Sequence, residues 1–242
     1  IEDQGGEVVM VFLSTNIEYF NTINNYQNRG YFGYKTMTWR KYKVWDQVQK
    51  DFLVNICNVN PDNIDIEGPI NNFGIEFTPS FTNAHKQIAV FDVPPLRALF
   101  FARFGNELDY YNDQNLSNFL VDIAEVCTDH GVKLYLKGKR KVDLYYFSKR
   151  YAGVISSLEK SGALVKVDPD VSTFSMADSF EFAISIPYTS TSLIFKDKQK
   201  TAVFYDPTAS LGTGVVDYRG VRVLCGKDVL KEWMSENFTE SS

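Results

Sequence analysis

Cysteine and histidine are scarce in this chain, which has 3 cysteines and 2 histidines among its 242 residues. Cys57, Cys127 and Cys225 show no C-x-x-C spacing, so we expect free thiols in a reducing compartment and neither disulfides nor a zinc site. His85 and His130 stand 45 positions apart, which excludes a histidine-rich metal site. The sequence therefore predicts no bound metal and no resident cofactor.

Long apolar runs and an excess of basic charge are also lacking. No stretch reaches the roughly 18 consecutive apolar residues of a membrane span. Lys and Arg total 25 against 30 Asp and Glu, and the net charge of −5 argues against a protein that wraps nucleic acid. No signal peptide is visible and the first residue is not Met, so we expect a processed product or a fragment that works in the cytoplasm.

The composition itself is that of a globular protein, with 44% hydrophobic, 23% charged and 15% aromatic residues. From residue 87 onward, short apolar runs alternate with segments whose apolar residues recur every three or four positions. This alternation predicts β-α-β units, and therefore a parallel, doubly wound α/β sheet of the Rossmann-like kind. The predicted strands cover 88–91, 132–136, 163–167, 182–186, 202–205 and 221–224, and the predicted helices cover 115–129, 144–160, 171–178, 191–198 and 227–237.

The first third of the chain follows a shorter version of the same pattern. It predicts strands at 8–13, 42–45 and 64–68 and one helix at 46–57, which make half of a Rossmann-like domain. We therefore expect a partial N-terminal lobe at 1–70, a polar linker at 71–86, a complete Rossmann-like domain at 87–225, and a closing helix and tail at 226–242.

Ligands of open α/β sheets bind beyond the carboxyl ends of the strands, so the loops after the strands are the places to search. The most informative loop holds Thr189, Ser190, Thr191 and Ser192, four successive hydroxyl residues that open a predicted helix. Hydroxyls and unpaired backbone N–H groups at a helix N-terminus suit a phosphate group. The alternative is a simple N-cap, which needs only one of the four hydroxyls.

A basic loop follows a second strand of the same predicted sheet. It contains Lys137, Lys139 and Arg140, and its charge would complement the hydroxyl loop in holding a phosphate-bearing ligand. A solvated basic loop is the competing interpretation.

Two aspartates end predicted strands at the same edge. Asp92 is placed where a nucleophile or base would stand, and Asp206 where a carboxylate would accept hydrogen bonds from a ribose or sugar hydroxyl. Each could equally cap the turn that follows it. The sequence has no G-x-G-x-x-G after a strand and no Walker loop, so it gives little support to an NAD-dependent enzyme or an ATPase.

These motifs resemble a family of bacterial polysaccharide-biosynthesis proteins named for a Pro-Phe-Thr-Ser motif. Pro187-Tyr188-Thr189-Ser190 matches that motif with Tyr188 in place of Phe, and Lys137-Gly138-Lys139-Arg140 matches the family's Lys-Pro-Lys-Arg with Gly138 in place of Pro. The similarity extends over most of the chain, from about residue 8 to residue 233.

The layout is also similar to that of the bacterial β-Kdo transferases, which are GT-B glycosyltransferases. The resemblance implies metal-independent transfer of a CMP-activated, Kdo-like sugar to an oligosaccharide or lipid-linked glycan, with membrane contact only through that acceptor. By this analogy Lys137, Lys139, Arg140, Thr189, Ser190 and Thr191 contact the nucleotide phosphate, and an aspartate such as Asp92 acts near the sugar. The partial first lobe favours an alternative, a non-catalytic transferase-like module in an assembly complex, and a sugar-nucleotide epimerase is a third interpretation.

Overall fold

A computed structural model describes residues 4–15, 36–70, 86–97, 99, 110–139 and 145–238. The chain divides into two compact units, Ile1–Asn72 and Phe73–Ser242. Within the described ranges no helix is both long enough and apolar enough to span a bilayer. The predicted linker at 71–86 and the tail after residue 238 lie almost entirely outside the described residues.

The first unit is built on three parallel strands, β1 (Val9–Val11), β2 (Lys41–Val44) and β3 (Ile64–Ile66), with β2 in the centre. Helix α1 (Gln47–Cys57) follows β2 and begins at Asp46, whose carboxylate accepts the Gln49 N–H. A short 3₁₀ turn (Pro61–Asn63) leads into β3. These elements confirm the predicted strands and helix of the first third.

The second unit holds a seven-stranded sheet in the order β6-β5-β4-β7-β8-β10-β9. All neighbouring pairs are parallel except β10 and β9. The strands are β4 (Gln87–Asp92), β5 (Lys133–Gly138), β6 (Leu164–Val167), β7 (Phe182–Ser185), β8 (Thr201–Asp206), β9 (Gly214–Tyr218) and β10 (Val221–Cys225). The chain runs outward from β4 through β5 and β6, then returns to β7 on the other side of β4. The predicted doubly wound, Rossmann-like sheet is confirmed.

Helices cover both faces of this sheet because its strands are apolar on both sides. On one face lie α2 (Asp113–Asp129), α3 (Lys149–Lys160) and α6 (Lys227–Phe238), which pack together around α2. On the other face α4 (Thr173–Ser179) packs against α5 (Ser190–Asp197). We call these the α3 face and the α5 face.

Two features differ from the sequence-based expectation. Helix α3 begins at Lys149, after an N-cap by Ser148, and not at residue 144. Phe147, just before the cap, pairs with Leu96 in an isolated antiparallel bridge, which holds this segment out of the helix. The antiparallel edge strand β9 was not predicted, because Val215 and Val216 are exposed and leave no alternating apolar pattern.

Candidate functional site

The predicted site residues follow strands that end at one edge of the seven-stranded sheet. In the parallel register, Phe91 of β4 stands opposite Lys137 of β5 and also opposite Ser185 of β7. Asp92 stands opposite Gly138, and Ser185 stands opposite Phe204 of β8, two residues before Asp206. Since β4 separates β5 from β7, the basic loop and the hydroxyl loop flank the end of β4, about 10 Å apart at two strand spacings.

The hydroxyl loop lies at the point where the strand order reverses. The chain moves to one side of β4 through β5 and β6 and to the other side through β7 and β8. Doubly wound sheets bind their ligands in the crevice beyond the carboxyl ends of the strands at this switch point. The loop after β7 is therefore where this fold places a ligand.

The side chains of this edge divide between the two faces of the sheet. Phe91 contacts Phe195 of α5, and Ser185 hydrogen-bonds Ser192 of α5, so Phe91, Ser185 and the register partner Lys137 belong to the α5 face. Successive residues of a strand alternate between faces, and Asp92 accordingly points to the α3 face, where the Tyr151 hydroxyl donates to its Oδ2. Lys137 and the hydroxyl loop therefore share a face, and Asp92 does not.

Three of the four predicted hydroxyls belong to an inward-pointing chain of hydrogen bonds. Ser192 is fully buried and donates to the Val203 carbonyl at 3.2 Å, so it must accept the 2.6 Å bond from Ser185. Ser185 has then spent its proton and accepts from Thr189 at 3.0 Å. Thr189 in turn accepts from Thr191 at 3.0 Å. Each hydroxyl has one proton to donate, so the direction of the whole chain is fixed by Val203.

This chain narrows the expectation of four donating hydroxyls. Ser192 is not within reach of a ligand, and the protons of Thr189 and Thr191 point into the protein. Ser190 makes no side-chain hydrogen bond to any described residue, so it is the one alcohol of the four whose proton is uncommitted. Sequence reasoning missed Ser185, although a serine that ends a buried apolar strand was a usable signal.

The N-terminus of α5 also differs from the simple N-cap considered for it. Thr189 occupies the N-cap position with extended backbone but makes no capping hydrogen bond, because its hydroxyl donates to Ser185 and lies 2.9 Å from the Ile186 carbonyl. The side chains of Asp46, Asn112, Ser148 and Ser172 cap the helices α1 to α4. The first N–H groups of α5 therefore keep their positive end of the helix dipole without a side-chain acceptor.

The basic loop contributes two described lysines. Lys137 is half-buried at the end of β5, and burial lowers its pKa while the carboxylates of Asp92, Asp170 and Asp168 oppose that effect. Lys139 is exposed. Arg140, the third predicted cation, lies outside the described residues.

Asp206 acts in the structure as the organiser of its own loop. Its carboxylate is fully buried and has four donors within 2.7–2.9 Å: the hydroxyls of Tyr110 and Thr208 and the N–H groups of Thr208 and Leu211. These contacts fill the positions at which a carboxylate accepts hydrogen bonds. The expectation that Asp206 binds a ribose or sugar is therefore corrected in favour of the turn-capping alternative.

Asp92 is also buried, but its environment is different. Burial raises the pKa of its carboxyl group from 3.8 to about 6, opposed mainly by the hydrogen bond from Tyr151. No described residue donates to Oδ1 with hydrogen-bond geometry, although the N–H groups of Asp92 and Lys139 lie near enough to lower the pKa slightly. Asp92 therefore stands apart from the phosphate loops, and its expected role as nucleophile beside the donor sugar is not met by this geometry.

Among the described residues, no group of three or more His, Cys, Asp or Glu side chains is arranged to hold a metal ion.

The comparison that decides the family is a match over residues 1–234 to the family described as polysaccharide biosynthesis PFTS motif protein. The chain belongs to this family. Its motif is the segment Pro187–Ser190, so the sequence that names the family forms the loop between β7 and α5. No curated protein matches the sequence.

Two solved structures are similar to this PFTS-motif protein. The chain covers 96% of itself and 43% of S. aureus TarM, in complex with Fondaparinux, alpha-GlcNAc-glycerol and UDP, at 11% identity and a TM-score of 0.47. It covers 98% of itself and 46% of the pneumococcal O-GlcNAc transferase GtfA, in complex with UDP and GlcNAc, at 9% identity and a TM-score of 0.49. The chain spans less than half the length of either protein.

The second residue of the PFTS motif has an unusual backbone. Tyr188 has φ of +64°, in the left-handed region that bulky residues rarely adopt. Its ring packs against Tyr218 of the edge strand β9 at 4.4 Å between centroids, and against Phe204 of β8 at 6.4 Å. Such a conformation costs on the order of 1–3 kcal/mol and persists where the surroundings fix it, most often at functional sites. The aromatic contacts hold the turn that presents Thr189 and Ser190.

Proposed function

We propose that this chain is a glycosyltransferase of bacterial surface-polysaccharide biosynthesis that takes its sugar from a nucleotide donor. Membership of the polysaccharide-biosynthesis family supports the biological role. The observation that carries the proposal is the position of the family's motif, which forms an uncapped helix N-terminus at the topological switch point of a Rossmann-like sheet. In this proposal the donor phosphate binds there.

The chemistry of this loop suits a leaving phosphate. When a glycosyl group is transferred, the bond between the anomeric carbon and the phosphate oxygen breaks, and negative charge develops on the phosphate. The first N–H groups of α5, the Ser190 hydroxyl and the Lys137 ammonium would stabilise that charge from fixed positions. Lys137 shares the α5 face with the loop, and Lys139 and Arg140 would add positive charge from the same segment.

The finer parts of the proposal follow from the resemblance to the Kdo transferases. We include in it a GT-B arrangement with the first unit as the acceptor-side lobe and a CMP-linked, Kdo-like acidic sugar as donor. An acidic sugar would add a second negative group for the lysine segment to bind. The acceptor would be a glycan, free or lipid-linked, reached from the cytoplasm without a metal ion.

Calorimetric titration of the chain with CMP, UDP and GDP tests the proposal. We expect one nucleotide, CMP, to bind. Ser190→Ala should weaken that binding about tenfold, which corresponds to the loss of one hydrogen bond to a charged group, and should change the free energy of unfolding by less than about 0.5 kcal/mol. Failure of all three nucleotides to bind would contradict the proposal.

Ser192→Ala is the matched control for Ser190→Ala. The Ser192 hydroxyl is buried between Ser185 and Val203, so its removal should lower the free energy of unfolding by about 1–2 kcal/mol. Its effect on nucleotide affinity should be smaller than that of Ser190→Ala. If the two variants exchanged these effects, the hydroxyl chain would be directed outward and the assignment of Ser190 would be wrong.

A second candidate is a module that binds a sugar nucleotide without catalysis. The geometry of the two predicted aspartates favours it, because Asp206 is saturated by its own loop and Asp92 faces the other side of the sheet. The release of free nucleotide from a bound CMP-sugar in the presence of a glycan acceptor separates the two candidates. A transferase releases nucleotide over many turnovers, whereas a binding module only reaches saturation.

A further inference from the structure

A cavity of about 340 Å³ lies on the α3 face of the second unit. It is bounded by the ends of β4, β5 and β6 and by one side of α3. Most of its wall is aliphatic, formed by Pro94, Leu136, Ala152, Ile155, Val167 and Pro169. Cavities of this size with largely apolar walls and a few polar groups are typical of small-molecule sites.

The polar groups of the wall are few, and one of them is incompletely satisfied. Asp92 forms part of the wall and is only 4% exposed. Tyr151 donates to its Oδ2, while Oδ1 receives no hydrogen bond from any described residue. A buried carboxylate oxygen without a donor is costly, so a molecule that brings a donor to Oδ1 gains more than an ordinary hydrogen bond.

The charges around the cavity favour a neutral ligand. Lys166 and Glu159 line it as an ion pair at 3.1 Å and cancel each other. The charge of Asp92 is offset by attraction to Lys137. An anion would meet the Asp92 carboxylate, and the aliphatic wall gives no partner to a strongly polar molecule. A single hydroxyl donor on a compact aliphatic body satisfies all these conditions.

We propose that this cavity is a binding site for a neutral alcohol with an aliphatic body, whose hydroxyl donates to Asp92 Oδ1. The site is separate from the phosphate loop, because Asp92 and Tyr151 lie on the α3 face and Ser185 and the PFTS motif lie on the α5 face. It therefore goes beyond the proposed transferase activity and gives a role to the aspartate that the phosphate site leaves unused.

Binding of two small probes to the full chain tests this site. Cyclohexanol and cyclohexanone have nearly the same size, but only the alcohol can donate a hydrogen bond. We expect cyclohexanol to cause saturable shifts of the methyl resonances of Leu136, Ile155 and Val167 in carbon–proton NMR spectra. Cyclohexanone should bind about tenfold more weakly, the equivalent of one hydrogen bond to a charged acceptor. Equal affinity of the two probes, or no binding of either, would overturn the proposal.

A cavity-filling variant locates the binding. Ala152→Phe places a ring in the cavity and should abolish the cyclohexanol shifts. Gly153→Phe is the matched control, because a Cβ built on this neighbouring helical residue meets nothing within 4 Å, and it should leave binding unchanged. Binding that survives Ala152→Phe would place the alcohol elsewhere.

Asp92→Asn keeps the test decisive if Ala152→Phe does not fold. A neutral amide oxygen is a weaker acceptor than a carboxylate, so the preference for cyclohexanol over cyclohexanone should fall to about twofold or less. An unchanged preference would show that Asp92 is not the acceptor. CMP binding should be unaffected by Asp92→Asn, which separates failure of this site from failure of the phosphate site.

Discussion

Asp92 and Asp206 end two strands of one sheet at the same edge, and their surroundings are opposite. Both are at least 96% buried. Asp206 has four donors from Tyr110, Thr208 and Leu211, whereas Asp92 has one, from Tyr151. The comparison teaches that burial alone does not identify a functional carboxylate. A structural aspartate is saturated by its own loop, while Asp92 keeps one oxygen unpaired at a cavity wall.

The two loops that leave β7 and β8 differ in the same way. The loop after β8 turns its polar groups inward onto Asp206, which fixes the turn from Asp206 to Leu211. The PFTS loop after β7 also spends most of its hydroxyls internally, but it leaves Ser190 and the first N–H groups of α5 uncommitted. In both comparisons the groups that the fold does not satisfy are the ones that can bind a ligand.

The largest expected effect is that of Asp206→Ala. The substitution leaves two hydroxyls and two N–H groups without their buried acceptor, so we expect the free energy of unfolding to fall by about 3–5 kcal/mol. Urea denaturation followed by circular dichroism measures this. Asp129→Ala, at an exposed aspartate, is the control and should change stability by less than about 0.5 kcal/mol. A similar small effect for Asp206→Ala would remove the distinction between the two buried aspartates.

Asp92→Asn should have the opposite sign. A rise of the Asp92 pKa from 3.8 to about 6 means that burying its charge costs about 3 kcal/mol, and the amide avoids this cost. The folded state holds the proton more tightly than the unfolded state, so the cost is fully present above the folded-state pKa and disappears as the pH falls toward 3.8. The variant should therefore be about 3 kcal/mol more stable than the wild type near neutral pH.

The pH dependence of the difference between Asp92→Asn and the wild type is the measurement that decides this. Denaturant unfolding of both proteins from about pH 4 to pH 7 should show the advantage of the variant growing as the pH rises through about 6. Taking the difference removes the other titrating groups. An advantage that does not change with pH would mean that Asp92 is not buried as a charge.

The elements of the fold could be predicted because apolar periodicity reports which residues are buried. It located every strand of the described sheets except β9, whose valines are exposed at an edge. It misplaced the start of α3, because the residues before Ser148 continue the apolar pattern of a helix although Phe147 pairs with Leu96. A cap and a strand bridge are long-range events that a local pattern does not contain.

The position of the candidate site followed from the same pattern, but the state of its side chains did not. Polar loops after parallel strands predicted the right edge of the sheet, since the order of elements determines that edge. The direction of the hydroxyl chain depends on the Val203 carbonyl, 11 residues beyond Ser192. The saturation of Asp206 likewise depends on Tyr110, 96 residues earlier. Contacts at such separations cannot be read from a loop sequence.

The smallest expected effects come from a pair of matched substitutions, Tyr151→Phe and Tyr110→Phe, which remove one phenol hydroxyl from each buried aspartate. Asp206 keeps three donors, so Tyr110→Phe should lower the free energy of unfolding by about 1 kcal/mol. Asp92 loses its one described donor, so Tyr151→Phe should cost about 2 kcal/mol near neutral pH. That cost should shrink near pH 5, where protonation of Asp92 removes the unpaired charge. Equal costs for the two variants at both pH values would mean that the two carboxylates are equally well satisfied, and the contrast between a structural and a ligand-binding aspartate would not hold.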